Sequence, residues 1–278
     1  MKRIALAQMD CALGDVAANL EHVRTEIDRA ATEGAELVVF PELTLQGYSL
    51  GQLEADSSMR AEDRRLAALT DGGIDVLVGF YEDGGARRYD SAAYLASDGA
   101  RYVHRKLYLS NYLVWEERKH ASPGQSLRAF DTRIARVATL ICNDAWQPAL
   151  PWLAAQDGAE VLLVPANSAV GLGPNSFDVV DYWYELLHFI ARMQQCWVVF
   201  CNRVGTEAGA RFWGGSRVLD PSGQVIAEAA MWEAELLVAD IDVTSARRRR
   251  HEVPLLAEAR LGLIAREVAR LIHEGGDA

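Results

Sequence analysis

Positive charge is in short supply in this chain. It has 28 lysines and arginines against 39 aspartates and glutamates, a formal net charge of −11 over 278 residues. Sequence-independent nucleic-acid binding needs a basic face, so that class of function is not expected. The one basic run, Arg247-Arg248-Arg249-Arg250, is followed by Glu252 and Pro254 and reads as a solvated turn before a last helix. Long apolar runs are also missing. No stretch is long enough to span a bilayer, and Met1 to Asp10 holds too few apolar residues for a signal peptide. The 4 cysteines, at positions 11, 142, 196 and 201, form no paired framework, which points to a reducing cytoplasm. The motifs H-E-x-x-H, G-x-x-x-x-G-K-[ST] and G-x-S-x-G do not occur, and the 6 histidines are scattered, so no metal site is expected. Without repeats, low-complexity tracts or a Pro/Gly/Ser linker, residues 1–278 read as one domain, with a C-terminal helix and tail over about 243–278.

What is present is a chain that is half apolar and alternates strand and helix patterns, the signature of an α/β protein with helices packed on mixed sheets. Strands are expected over 3–9, 36–40, 75–81, 133–141, 160–164 (ending at Pro165), 197–204 and 234–241. Hairpins are expected over 88–96 with 101–107 and over 214–220 with 224–228. Helices are expected over 17–33, 51–70, 147–157, 178–195 and about 255–273, with 108–130 irregular.

Three of these strands end on reactive residues: Val38-Val39-Phe40-Pro41-Glu42, Tyr102-Val103-His104-Arg105-Lys106 and Thr139-Leu140-Ile141-Cys142. Ligands of open α/β sheets gather at carboxyl ends of strands. A glutamate, a lysine and a cysteine at one rim would supply a base, a cation for a developing oxyanion and a nucleophile. Taken singly, each has an ordinary reading, as a surface charge or a buried thiol. A helix starting just after Cys142 is expected to lower the thiol pKa through its N-terminal amides. His104 shares an alternating face with Lys106 and is a rival base for the thiol.

Phe40-Pro41-Glu42-Leu43 with Gly47-Tyr48, His104-Arg105-Lys106-Leu107-Tyr108-Leu109 and Ile141-Cys142-Asn143-Asp144 resemble, in order and spacing, the nitrilase (carbon–nitrogen hydrolase) superfamily. Asn202-Arg203-Val204-Gly205, Phe212-Trp213-Gly214-Gly215-Ser216 and Asp220-Pro221-Ser222-Gly223 extend the resemblance, which runs from Lys2 to about Arg260. It implies a four-layer αββα sandwich, usually a homodimer, with no metal or organic cofactor. It also implies catalysis by Glu42, Lys106 and Cys142, with the Asn143 backbone N–H as an oxyanion donor and a second glutamate that orients the lysine and the substrate. Glu117, seven residues before Gly124, fits that second place; Glu116 is its rival, because Ala121 stands where an aromatic is common. Tyr48, Tyr108, Trp146 and Asn167 are candidate pocket residues.

The residues after the nucleophile bear on the substrate. Nitrile-cleaving members commonly carry Trp-Glu there, whereas Cys142-Asn143-Asp144 with Pro148 is similar to N-carbamoyl-D-amino-acid amidohydrolases. Ala145 and Trp146 replace the arginines of that group, and Trp146 is similar to the glutaminase domains of NAD synthetases, whose synthetase half this sequence does not include. The expectation is therefore a cysteine amidohydrolase acting on a small amide or N-carbamoyl compound. The alternatives are a nitrilase and a silent binding or scaffold member. The aromatic helix Val179 to His188 reads first as core or dimer interface, and second as a pocket wall.

Overall fold

The computed structural model describes residues 1–112, 115–170 and 178–275. Its first half runs through β1 (Lys2–Gln8), α1 (Val16–Thr32), β2 (Leu37–Val39), α2 (Arg64–Ala67), β3 (Asp75–Asp83), β4 (Arg88–Leu95) and β5 (Arg101–Arg105). Then come β6 (Phe130–Asp131), β7 (Arg136–Thr139), α3 (Ala149–Gln156), β8 (Val161–Ala166), β9 (Ala169–Val170), α4 (Val179–Gln194) and β10 (Trp197–Asn202). The last part holds β11 (Val204–Glu207), β12 (Ala210–Trp213), β13 (Arg217–Leu219), β14 (Val225–Glu228), β15 (Glu235–Ile241), α5 (Thr244–Glu252) and α6 (Leu261–His273).

Two six-stranded sheets carry the fold, ordered β15-β1-β2-β3-β4-β5 and β14-β13-β10-β8-β7-β6. The two-residue period of β1 explains the layering. Ile4 and Leu6 join Val39, Leu77 and Tyr94 in a core shared with Val137, Val164 and Val199 of the second sheet. Ala5 and Ala7 face the other way, with Val38, Val76 and Phe80, onto Leu20, Val23 and Ile27 of α1. Trp183, Leu187 and Ile190 of α4 cover the second sheet. Helix, sheet, sheet, helix is the αββα sandwich that the family resemblance implies. A small sheet, β11-β12-β9, sits apart.

Each sheet has a parallel centre, β1-β2-β3 in one and β7-β8-β10 in the other. Two antiparallel steps, through β4, return β5 to the direction of β3. The carboxyl ends of β2, β5, β7 and β8 therefore open on shared rims, and the candidate residues follow those ends.

Four expectations are corrected. Residues 51–70 do not form one helix. Met59 is drawn out as a strand partner, with its N–H donating to Tyr81 O at 2.9 Å and its carbonyl accepting from Asp83 N at 2.8 Å. Helix starts again only where the Asp63 carboxylate accepts the Arg65 N–H. Arg247 to Arg250 lie within α5 rather than in a turn, because Glu160 pairs with Arg247 and holds the first turn of the helix against the sheet. The last helix begins at Leu261, later than expected. Pro165 stands inside β8 rather than ending it. It pairs with Cys201, and β7 has already stopped opposite Leu163, so no neighbour on that side needs the missing N–H. Among the described residues no helix is long and apolar enough to cross a membrane.

Candidate active site

Glu42 follows β2 in a tight turn pressed onto β3. A Cβ at Gly79 would lie 2.4 Å from Leu43 N and 2.5 Å from Pro41 O, so only glycine leaves room for the turn. Leu43 takes a positive φ of 47°, which aims the preceding carboxylate inward. Glu42 Oε1 accepts from Lys106 Nζ at 2.6 Å, and Oε2 accepts the Asn167 N–H at 2.8 Å. Asn167 Nδ2 donates to the Glu42 carbonyl at 2.8 Å, so both ends of Asn167 fix this residue. Lys106 follows β5 and is wholly buried. Its Nζ also meets Glu117 Oε1 at 2.8 Å and Asp90 Oδ2 at 3.6 Å.

Cys142 follows the second-sheet strand β7 and has φ 45°, the left-handed region that a side chain enters only under constraint. The constraint is Asp144. Its Oδ1 accepts the Leu107 and Tyr108 N–H groups at 2.9 Å each, and its Oδ2 accepts Ile141 N–H at 3.2 Å. His104 Nε2 lies 2.9 Å from the same carboxylate. One buried side chain thus ties the lysine segment to the cysteine segment. His104 acts on that tie rather than on the thiol, which answers its rival reading as a base. Replacing Asp144 with Asn removes one of the two accepting oxygens. We expect a loss of about 1–3 kcal/mol, read as a lowered Tm, together with a lower kcat.

The electrostatics correct one expectation. Residues 142–144 form only a single 3-10 turn, and the α-helix starts at Ala149, so no helix N-terminus faces the thiol. Burial pushes the Cys142 thiol well above its ordinary range, and the charges of Glu42 and Glu117 add to this. Lys106 and the Asn167 N–H pull the other way without prevailing. The resting nucleophile is therefore the thiol. Burial disfavours charge on Lys106, but Glu117 and Glu42 outweigh it and hold the ammonium protonated. Burial, opposed by Lys106 and reinforced by Glu42, raises the Glu117 carboxyl.

Glu117 is the glutamate brought to the lysine; Glu116 is exposed and pairs with Lys119. Glu117 Oε1 also accepts a hydrogen bond from Tyr48 OH, and Oε2 accepts the Ser110 N–H at 2.8 Å. The Tyr48 ring packs edge-on against Trp115 at 4.8 Å. Tyr108 contributes its backbone, since its carbonyl accepts from Asn143 Nδ2 at 3.1 Å while the ring is half exposed. Trp146 stacks on Tyr182 of α4 at 5.0 Å and meets Trp183 edge-on at 5.5 Å. The aromatic helix is thus divided: Trp183 is core, whereas Tyr182, Phe189 and Met193 are exposed. Asp90 and Asp144 were not among the residues read from the sequence as site members. Glu42, Asp90 and Glu117 could hold a cation by spacing alone, but the Lys106 ammonium already lies within 3.6 Å of all three.

Over residues 3–251 the chain matches the carbon–nitrogen hydrolase family model. The chain belongs to the carbon–nitrogen hydrolase family. A glutamine-dependent NAD(+) synthetase of Thermotoga maritima is 32% identical over 246 residues, 87% of this chain and 42% of the relative. A citrullinase of Francisella tularensis is 28% identical over 267 residues, 90% of this chain and 93% of the relative. Among solved structures, the NitN amidase of Nesterenkonia sp. AN1 superposes with a TM-score of 0.81 at 27% identity, covering 96% of this chain and 99% of the amidase. A glutamate-to-glutamine mutant of that amidase has also been solved, with acrylamide added to its active-site cysteine. The chain spans about half the length of the NAD(+) synthetases it matches, 42% to 50% of each. Membership of this carbon–nitrogen hydrolase family places the chain in the nitrilase superfamily, beside amidase and carbamoylase relatives.

Proposed function

We propose that the protein is a cysteine amidohydrolase that cleaves a non-peptide C–N bond of a small amide or N-carbamoyl compound. The observation that carries this reading is one buried ammonium, Lys106, in contact with Glu42 and Glu117 at the strand rim where Cys142 also stands. As the thiol attacks the substrate carbonyl, its proton passes to Glu42. Lys106 and the Asn143 backbone N–H hold the oxyanion. Glu42 then gives the proton to the departing ammonia or amine, leaving a thioester on Cys142. A water that loses its proton to Glu42 attacks the thioester, and that proton returns to the sulfur. A thiol held protonated at rest suits this sequence, because deprotonation is needed only when substrate is in place.

The relatives frame the substrate class: a citrullinase and an N-carbamoylputrescine amidase of Solanum tuberosum stand beside the amidase. A second reading, glutamine hydrolysis, is favoured by the 32% identity to an NAD(+) synthetase. The test is an ammonia-release screen over simple amides, carbamoyl compounds, glutamine and nitriles. We expect turnover of an amide or carbamoyl compound; release only from nitriles, or from nothing offered, would overturn the proposal. We further propose that the chain works as one hydrolase domain, as a homodimer and in a reducing compartment. Exposed Leu261, Ile264, Val268, Leu271 and Ile272 form an apolar stripe along α6 that a second copy would cover, and the cysteines are unpaired.

A further inference from the structure

Asp90 lies on β4 opposite Tyr81, wholly buried, and both of its carboxylate oxygens lack a hydrogen-bond partner among the described residues. Such a group is costly unless it is neutral or paired. Its surroundings hold two more carboxylates, Glu42 and Glu117, all with oxygens within 4.8 Å of one another, against the single Lys106 ammonium. Full ionisation would leave a net charge of −2 in the interior, so a proton must reside on this cluster. Burial first, and then the charge of Glu42, drive the Asp90 carboxyl far above its usual range. Asp90 is also among the residues that line a cavity of about 450 Å³, together with the exposed Gln52, Glu116 and Lys119. The described lining of that cavity includes Tyr48 and Glu117 but not Cys142.

We infer that Asp90 is a proton-relay residue, held as a neutral acid, that connects Glu42 to solvent through this cavity. The inference rests on the amidohydrolase reading. For an amide whose nitrogen leaves as uncharged ammonia, water and the thioester give a carboxylic acid and the free thiol, and ionisation of that acid leaves one surplus proton in the site, which balances the proton that ammonia takes up in solvent. Glu42 receives it. One Asp90 oxygen then takes the proton from Glu42 while the other releases its own to cavity water. Asp90 is neutral before and after, Glu42 returns to the carboxylate, and one proton has left the site without passing the nucleophile.

Two measurements test this. Infrared spectroscopy of the resting protein labelled with ¹³C-aspartate should show a protonated-carboxyl band that is lost in D90N; its absence would overturn the inference whatever the substrate proves to be. With a substrate in hand, D90N and D90A should lower kcat about tenfold or more with KM within about twofold, as expected when a proton-transfer step is impaired. Formate, small enough to enter the cavity, should restore kcat in D90A saturably, but not in D90N, where the amide fills the place. Unchanged kcat in both variants, or a folded D90A that formate does not rescue, would contradict the relay. If D90A does not fold, the kcat of D90N decides alone. Failure of the amidohydrolase reading shows differently, as an absence of Cys142-dependent turnover in the unaltered protein.

Discussion

Cys142→Ala is expected to abolish ammonia release from every substrate the enzyme accepts, a fall of about 10⁴-fold or more, with KM for any residual activity little changed. The change removes a sulfur from a site whose other members stay in place. Asp144 still holds Leu107, Tyr108 and Ile141, and Lys106 still meets Glu42 and Glu117. The variant should therefore fold with a Tm close to that of the unaltered protein, and it should bind substrate. Binding without turnover separates loss of the nucleophile from loss of the fold. Turnover within about tenfold of the unaltered enzyme would remove the thioester from the mechanism.

Lys106→Met should damage both stability and rate. The ammonium is the only cation within 4 Å of the three carboxylates among the described residues, so its loss leaves Glu42, Asp90 and Glu117 to face one another. Breaking a buried ion pair from one side costs about 3–5 kcal/mol at neutral pH. The sign of the pH dependence follows from the shifts. Lys106 is raised in the fold, so its contribution is fully present at neutral pH and is lost only as pH climbs through its elevated alkaline value. Asp90 and Glu117 are also raised, so acidification neutralises the carboxylates in the variant first. The Tm gap between Lys106→Met and the unaltered protein should therefore narrow as pH falls toward the carboxylate range, and a constant gap would contradict this charge balance. Loss of the oxyanion cation should in addition lower kcat by about 10²–10³-fold, as removal of one preorganised donor does elsewhere.

How much of this was legible in the sequence depended on whether the signal was local. The strand-end positions of Glu42, Lys106 and Cys142 follow from apolar runs that stop at a charged or nucleophilic residue, and the structure sets Glu42 and Lys106 in contact. The family resemblance, through the seven-residue spacing to Gly124, implied Glu117 over Glu116, and a Cβ at Gly124 would meet the Arg105 carbonyl at 2.3 Å. Asp90 could not be read in this way. It is one polar residue in an alternating strand, and its burial comes from Glu42 and Glu117, which lie 48 residues before it and 27 after it. Asp144 was visible only as part of Cys-Asn-Asp; its clamp on Leu107 and Tyr108 is a contact across 37 and 36 positions, respectively. The expected lowering of the thiol pKa failed because proline and alanine after Trp146 signal a helix but not its distance from the sulfur. The stretch 51–70 failed because Met59 is claimed by β3, a tertiary pairing that overrides local propensity.

The central claim is that a covalent acyl intermediate forms on Cys142. Rapid acid quench during turnover, followed by proteolysis and mass spectrometry, tests it most directly. The predicted result is a peptide containing Cys142 that carries the acyl mass of the substrate, appearing within one turnover and decaying as substrate is exhausted. An acyl group found on Cys11, Cys196 or Cys201 instead, or steady turnover with no adduct at Cys142 under conditions that trap thioesters, would contradict it.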